Sequence, residues 1–243
     1  MLRKDEGVVL RTARSGESSL LVTFLGCELG KVRLMAKGVM SAKHPSRGLL
    51  ESGNHIEAVY YFKENRSVYY LREVSLLSAP APGRDSLPHM AARLSAMELL
   101  DQVCYPGSAD AAIVDLAAEY LRTAAGSDPL LVFLAFEIKL LGALGAIPDL
   151  AGCADCGGDV ARGAFDARNG VAYCRQHAGL AGDSLPLPAH LLDAINLCAA
   201  GTLAGVAAVE LEKRTRKQLG KLVHWTYTFH VQGYSLPRSL SLI

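Results

Sequence analysis

No stretch of this chain approaches the roughly 18 consecutive apolar residues of a membrane-spanning helix, although half of its 243 residues are hydrophobic. The opening MLRKDEGVVL holds neither the apolar core nor the small-residue cleavage site of a secretory leader. A protein of the cytoplasm is expected. Also missing are a Walker loop, a GxGxxG turn, an HExxH helix and a Ser/His/Asp arrangement. Gly142 and Gly145 close a helical stretch and do not open one, so they form no phosphate loop. These absences remove the common nucleotide-binding and hydrolytic classes, and no catalytic residue is expected. A large excess of one charge is missing too, since the net charge is only +1.

That small number conceals a pattern. Residues 1–80 hold twelve Lys/Arg against eight Asp/Glu, a balance of +4. Residues 81–209 hold seven against fourteen, or −7, and residues 210–243 hold six against two, or +4. Basic ends around an acidic middle fit faces that meet an anionic partner, and fit equally a set of solvated surfaces.

The cysteines are few but concentrated. Cys153-Ala-Asp-Cys156 is followed after seventeen residues by Cys174-Arg-Gln-His177. The spacing C-x2-C-x17-C-x2-H matches the structural zinc template with His in place of the last Cys. Thiols stay reduced inside the cell, which favours metal ligation over disulfides. Three thiolates, one imidazole and Zn²⁺ sum to −1, and Gly157-Gly158 lets backbone N–H groups turn toward sulfur. All four positions are filled by protein, whereas a catalytic zinc keeps one open. One structural zinc per chain is expected, with a redox pair or a site that has lost its metal as alternatives. Cys27, Cys104 and Cys198 are isolated and read as buried thiols.

Residues 1–79 read as all-β. Runs rich in Val, Leu and Tyr at 6–12, 18–25, 31–37, 55–62 and 67–77 are separated by Gly and Asn turn signals. Five short strands with a longer connection after the third fit an OB-fold or an SH3-like barrel. Residues 80–88, with Pro80, Pro82 and Pro88, read as a linker, Ser86 capping the next helix. The period is helical over 89–148 and 183–243, with helices expected at 111–125, 129–144, 186–200 and 203–222. The metal segment, 149–182, interrupts them as an insertion. The class is α+β: a five-stranded barrel, then an all-α domain with an inserted zinc-knuckle module.

Candidate binding residues are basic. Arg11, Arg14, Lys31, Arg33, Lys37, Lys43, Arg47, Arg66 and Arg72 lie in the barrel region. Lys31, Arg33 and Lys37 share one face of a strand, while Val32, Leu34 and Ala36 point to the core. Such a row suits a nucleic-acid backbone, and is also what an ordinary exposed strand face looks like. Tyr60, Tyr61, Phe62, Tyr69 and Tyr70 cluster on the last two strands. Most are expected in the core, with one or two available to stack on bases. Lys213, Lys217 and Lys221 form a helical stripe flanked by Arg214 and Arg216 that reads as a phosphate site or as a solvated face.

Three segments together resemble the bacterial RecO family. The first is Ser15-Gly-Glu-Ser-Ser-Leu-Leu-Val-Thr-Phe-Leu with Gly30-Lys-Val-Arg-Leu-Met-Ala-Lys-Gly38. The second is Phe136-Glu-Ile-Lys-Leu-Leu-Gly-Ala-Leu-Gly-Ala-Ile-Pro148 running into Cys153-x-x-Cys156. The third, looser, is the ending through Pro237-Arg-Ser-Leu240. The resemblance covers nearly the whole chain in order. It implies an OB-fold, a helical domain with a zinc knuckle, and a non-enzymatic role at the nucleoid. It further implies binding of single- and double-stranded DNA, strand annealing, recognition of the acidic C-terminal tail of single-stranded DNA-binding protein (SSB), and pairing with RecR to help load RecA. DNA contact then falls on Arg11, Arg14, Lys31, Arg33, Lys37, Lys43 and Arg47, and zinc on Cys153, Cys156, Cys174 and His177. No membrane or small-molecule substrate is implied. The competing readings are a zinc-containing protein–protein module that does not bind DNA, and a zinc hydrolase.

Overall fold

A computed structural model describes residues 1–41, 44–81, 86–123 and 128–242. They fall into two compact units, residues 1–125 with 237–243, and residues 126–236.

The first unit is built on β1 (Leu2–Ser15), β2 (Ser19–Gly26), β3 (Gly30–Ala36), β4 (His55–Tyr61) and β5 (Tyr69–Ser78). β1 is 14 residues long and serves two neighbours. Its first half pairs with β4 and its second half with β2, and the register shifts between Val9 and Arg11. Two-sided pairing lets five strands close in the order β1-β2-β3-β5-β4. The closing β3–β5 pair is parallel. A parallel pair between the third and fifth strands is OB-fold topology, which decides between the two barrels that the strand count permits. Alternation fills the interior with Val9, Val22, Phe24, Leu34, Ile56 and Tyr60. The connection after β3 carries a 3-10 turn, Gly48–Leu50, whose Leu50 plugs the barrel.

Two helices join this unit, α1 (Leu87–Val103) and α2 (Ala111–Arg122). Composition places the boundary at 80–88 and assigns them to the helical domain, yet both pack on β1, and α2 also on β2. Ala91, Ala92, Ala117 and Ala118 are fully buried, and small side chains let a helix approach a sheet closely. Ser86 does precede α1, but its hydroxyl meets His89 Nδ1 at 2.6 Å and caps no N–H. Asp110 caps α2 through Ala112 N at 2.9 Å. Gly30 has φ +65°, and a Cβ there would lie 2.5 Å from the Ser108 carbonyl oxygen. The start of β3 therefore lies against the α1–α2 connection. Pro237 onward returns to this unit: Glu98 of α1 accepts from Arg238 N at 2.6 Å and from Ser239 Oγ at 2.6 Å.

In the second unit α3 (Pro129–Ala143) is the central element, capped by Asp128, which accepts from Leu131 N at 3.1 Å. From Leu131 to Leu141 every side chain but Lys139 is buried, as expected of a helix apolar on all sides. Around it lie α4 (Ala189–Ala200), α5 (Leu203–Ala207) and α6 (Lys213–His230). The continuous helix expected over 203–222 is thus broken, and its second part runs to residue 230. The insertion is itself a sheet, ordered β6 (Asp149–Cys153), β8 (Val171–Tyr173), β7 (Gly163–Asp166) and β9 (Ser184–Leu187). Residues 186–187, expected as helix, belong to β9. Leu185 and Leu187 are buried while Ser184 and Pro186 are exposed, a period of two. Among the described residues no helix is long and apolar enough to cross a membrane.

Glu137 sits in the middle of α3, 3% exposed. Burial pushes its carboxyl up to about 8, from an ordinary 4.5. The folded state therefore holds this proton more tightly than the unfolded chain does. The stabilisation is complete below 4.5 and is lost as the pH rises through 8. The melting temperature should fall between about pH 5 and pH 8, and Glu137→Gln, which cannot ionise, should flatten that fall. Thermal melts of both proteins across this range check it; parallel pH profiles would refute it.

Candidate nucleic-acid interface and metal centre

The outer face of β2 and β3 carries the basic residues. β3 turns Lys31, Arg33 and Met35 outward and Val32, Leu34 and Ala36 inward, as alternation predicts. Across the register Arg11, Thr23 and Arg33 lie side by side on β1, β2 and β3. Arg11, Lys31, Arg33 and Arg66 line a groove of about 500 Å³, with Tyr69 and the 106–107 turn on its walls.

The cations are not equivalent. Arg11 Nε reaches Asp101 Oδ2 at 2.8 Å, and Lys31 Nζ reaches Asp101 Oδ1 at 3.1 Å. Lys31 also donates to the Asp101 carbonyl, and its side chain is only 18% exposed. It ties β3 to α1, so a reversed charge there would face Asp101. Arg33 and Arg66 are exposed, and neither makes an ion pair among the described residues. Of the other sequence candidates, Lys37 is exposed just past β3, its Nζ 4.5 Å above the Tyr70 ring. Arg14 and Arg47 are exposed but outside the groove, on β1 and before the 3-10 turn. Lys43 lies outside the described residues. Arg72 is turned to Glu73 at 3.0 Å.

The aromatics divide as strand alternation requires. Tyr60 is fully buried and stacks on Tyr69, which also meets Phe62. Tyr61 and Tyr70 are 52% and 42% exposed.

In the second unit the four predicted ligands converge. One ligand atom from each of Cys153, Cys156, Cys174 and His177 lies within 4.8 Å of all the others. Cys156 Sγ is 3.9 Å from Cys174 Sγ, and His177 Nδ1 is 3.6 Å from Cys153 Sγ and 3.5 Å from Cys174 Sγ. A tetrahedral centre with metal–sulfur bonds near 2.3 Å and metal–nitrogen near 2.0 Å has edges of about 3.5–3.8 Å. Three edges lie at or near these values and all fall within 4.8 Å, so the cluster could hold a metal ion with a small contraction. Burial pushes the Cys153 thiol up, but N–H groups of Cys174, Cys156 and Asp155, with the His177 ring, outweigh it and hold it near 6. His177 Nε2 lies 3.3 Å from Asp155 Oδ2, the outer carboxylate that orients a ligating imidazole. Asp155 was not legible as such, because its position inside Cys-x-x-Cys says nothing of where it points. At the end of β7, buried Asp166 accepts from Asn169 N, Asn169 Nδ2 and Gly182 N. Burial alone would raise its carboxyl, but these donors keep it below the usual range.

On α6, Arg216 is paired with Asp128, and Lys221 lies 4.7 Å from the Trp225 ring. Lys213, Lys217 and Lys221 are exposed. Lys139 donates to the Ala199 carbonyl at 3.0 Å, closing the end of α4.

Comparison with known proteins covers nearly the whole chain, with a boundary after the barrel strands and before α1. The family model "Recombination protein O N terminal" matches residues 1–80, and "Recombination protein O C terminal" matches 84–239. A DNA repair protein RecO of Anaeromyxobacter dehalogenans is 33% identical over 211 residues, 86% of this chain and 83% of that protein. One of Exiguobacterium sibiricum is 29% identical over 225 residues, 92% and 89% of the two chains. One of Chloroherpeton thalassium is 24% identical over 250 residues, 98% and 96%. With an OB-fold, a Cys₃His cluster and family matches over both parts of its length, this chain belongs to the RecO family of DNA repair and recombination proteins.

Proposed function

We propose that this protein is a recombination mediator that acts by binding and not by catalysis. Its barrel, residues 1–79, binds single- and double-stranded DNA in the cytoplasm, at the nucleoid. It brings complementary strands together and, with RecR, helps load RecA onto single strands coated with SSB, whose acidic tail it recognises. The observation that carries this reading is the groove on the β2–β3 face, where four cations meet one carboxylate. Annealing joins two polyanions, so their phosphates must be neutralised first. Arg33 and Arg66 are the free cations that do so, with Arg11, Lys37, Arg14 and Arg47 around them and Lys43 on the connecting loop. Lys31 contributes chiefly by holding β3 to α1.

The metal centre has a separate role in this reading. Three sulfurs and one imidazole at tetrahedral distances suit zinc. Closed on four sides by protein, it pins the inserted sheet and leaves no position for a substrate. Zinc there would supply cross-linking and no chemistry.

Two outcomes are expected. In a salt titration with a labelled single-stranded oligonucleotide, Arg33→Ala with Arg66→Ala should weaken binding several-fold and reduce the log–log salt slope by about 1.4, at about 0.7 per phosphate contact. An unchanged affinity and slope would sink the groove assignment. Salt-insensitive binding by the unaltered protein would favour a protein–protein module instead. Elemental analysis should find one zinc per chain, and Cys174→Ser should lower both zinc content and melting temperature, the latter by about 10 °C or more. A zinc-free protein with unaltered melting would refute the structural role.

A further inference from the structure

Two rows of outward side chains run around the barrel next to each other. The first is the polar row Arg11–Thr23–Arg33. The second lies two residues further along β3. Leu21 on β2 faces Met35 on β3, Met35 faces Tyr70 on β5, Tyr70 faces Tyr61 on β4, and Tyr61 faces Leu2 on β1. Directly paired residues share a face, and the inward neighbours Leu34 and Tyr60 are fully buried. The second row must therefore point to solvent. Leu2, Tyr61 and Tyr70 are 43%, 52% and 42% exposed. On β2 and β3, where the rows run side by side, they are about 7 Å apart at about 3.4 Å per residue, and Tyr70 and Tyr61 follow on β5 and β4. Adjacent exposed aromatics in lateral register, with about half their surface uncovered by the described residues, call for an occupant.

We propose that Tyr70 and Tyr61 form a stacking platform for the bases of a single strand whose phosphates lie on the neighbouring cations. The proposal rests on the reading of this barrel as a DNA-binding surface and adds what distinguishes one strand from two. Three observations favour a nucleobase over an aliphatic partner. The centre of the row is aromatic. The Lys37 ammonium stands over the Tyr70 ring at 4.5 Å, so the platform carries its own cation, which a phosphate would draw off the ring face as a base replaces it. Along β3 and just past its end, Arg33 and Lys37 bracket Met35, the platform residue next to Tyr70, with a cation on each side. A single strand has phosphates on one side and free base faces on the other, and matches paired charged and aromatic rows. Bases in a duplex are already stacked and cannot use the platform. This gives a mediator a physical means of holding single strands with their bases ordered before pairing.

The test compares single-stranded and duplex oligonucleotides of equal length by fluorescence anisotropy across salt. Tyr61→Ala with Tyr70→Ala should weaken single-strand binding by about 5- to 100-fold, leave duplex binding unchanged and leave the single-strand salt slope unchanged. Tyr70→Trp should bind as the unaltered protein does, and Tyr70→Leu should not. Arg33→Ala with Arg66→Ala tests the underlying reading, because it should change the salt slope. If that variant behaves as expected while the tyrosine variants bind single strands normally, the platform is refuted and the groove reading stands. Equal losses for single strand and duplex would also refute the platform. So would a change in oligomeric state with unchanged DNA affinity, which would make the row a contact between copies of this chain. If the unaltered protein shows no salt-sensitive binding at all, both readings fall. Both side chains replaced on the platform are outward, so a matching melting temperature confirms that the variants are folded.

Discussion

The parallel contact of β3 with β5 is short, two residue pairs, and the arrangement of the first unit depends on it. It joins Leu34 to Tyr69 and Met35 to Tyr70. The first pair faces the interior, where Tyr69 stacks on Tyr60, and the second faces solvent. Closing the barrel at this point removes two sheet edges that would otherwise present unpaired backbone groups. It also brings the aromatic strands against the basic strand, so cations and rings that are distant in the chain come to share one surface.

The helices packed on the barrel divide its cations by role. Asp101 on α1 takes Arg11 and Lys31, and Gly30 lets β3 approach the α1–α2 connection without a steric clash. A lysine whose ammonium is held by a carboxylate and a carbonyl loses much of its freedom to meet a phosphate. An exposed arginine with no ion pair among the described residues, such as Arg33, keeps it. Charge counted along the chain treats the two alike, yet only one is available without breaking a structural contact.

The metal cluster imposes a comparable constraint on the second unit. Four side chains from two short turns converge where a metal ion would cross-link the sheet formed by β6–β9, which has few buried aromatic side chains, Phe165 among them. Asp166 and Asp155 tighten the same module from its turns. The buried helix α3 has no such cross-link. It is held by apolar contact on every side and carries one ionisable cost, the carboxyl of Glu137.

Much of this was legible from residue order. The Cys-x-x-Cys and Cys-x-x-His spacing named the four side chains that converge, because two-residue gaps are what a tight turn around one ion needs. Alternation at Val32, Leu34 and Ala36 gave β3 and its outward basic face. Reading failed where local signals conflicted. Pro186 and Leu187 were assigned to a helix, although Leu185 and Leu187 bury as a strand once β7 is beside them. The break between α5 and α6 left no clear mark. By itself the sequence determined the ligand set, the five strands and the family, all carried by short-range spacing and order. Tertiary structure alone decided how the barrel closes through β3 and β5, that α1 and α2 pack against it, which cations are held in ion pairs, and which tyrosines face outward. Those depend on pairings such as Lys31 with Asp101, 70 residues apart, and no local period encodes them.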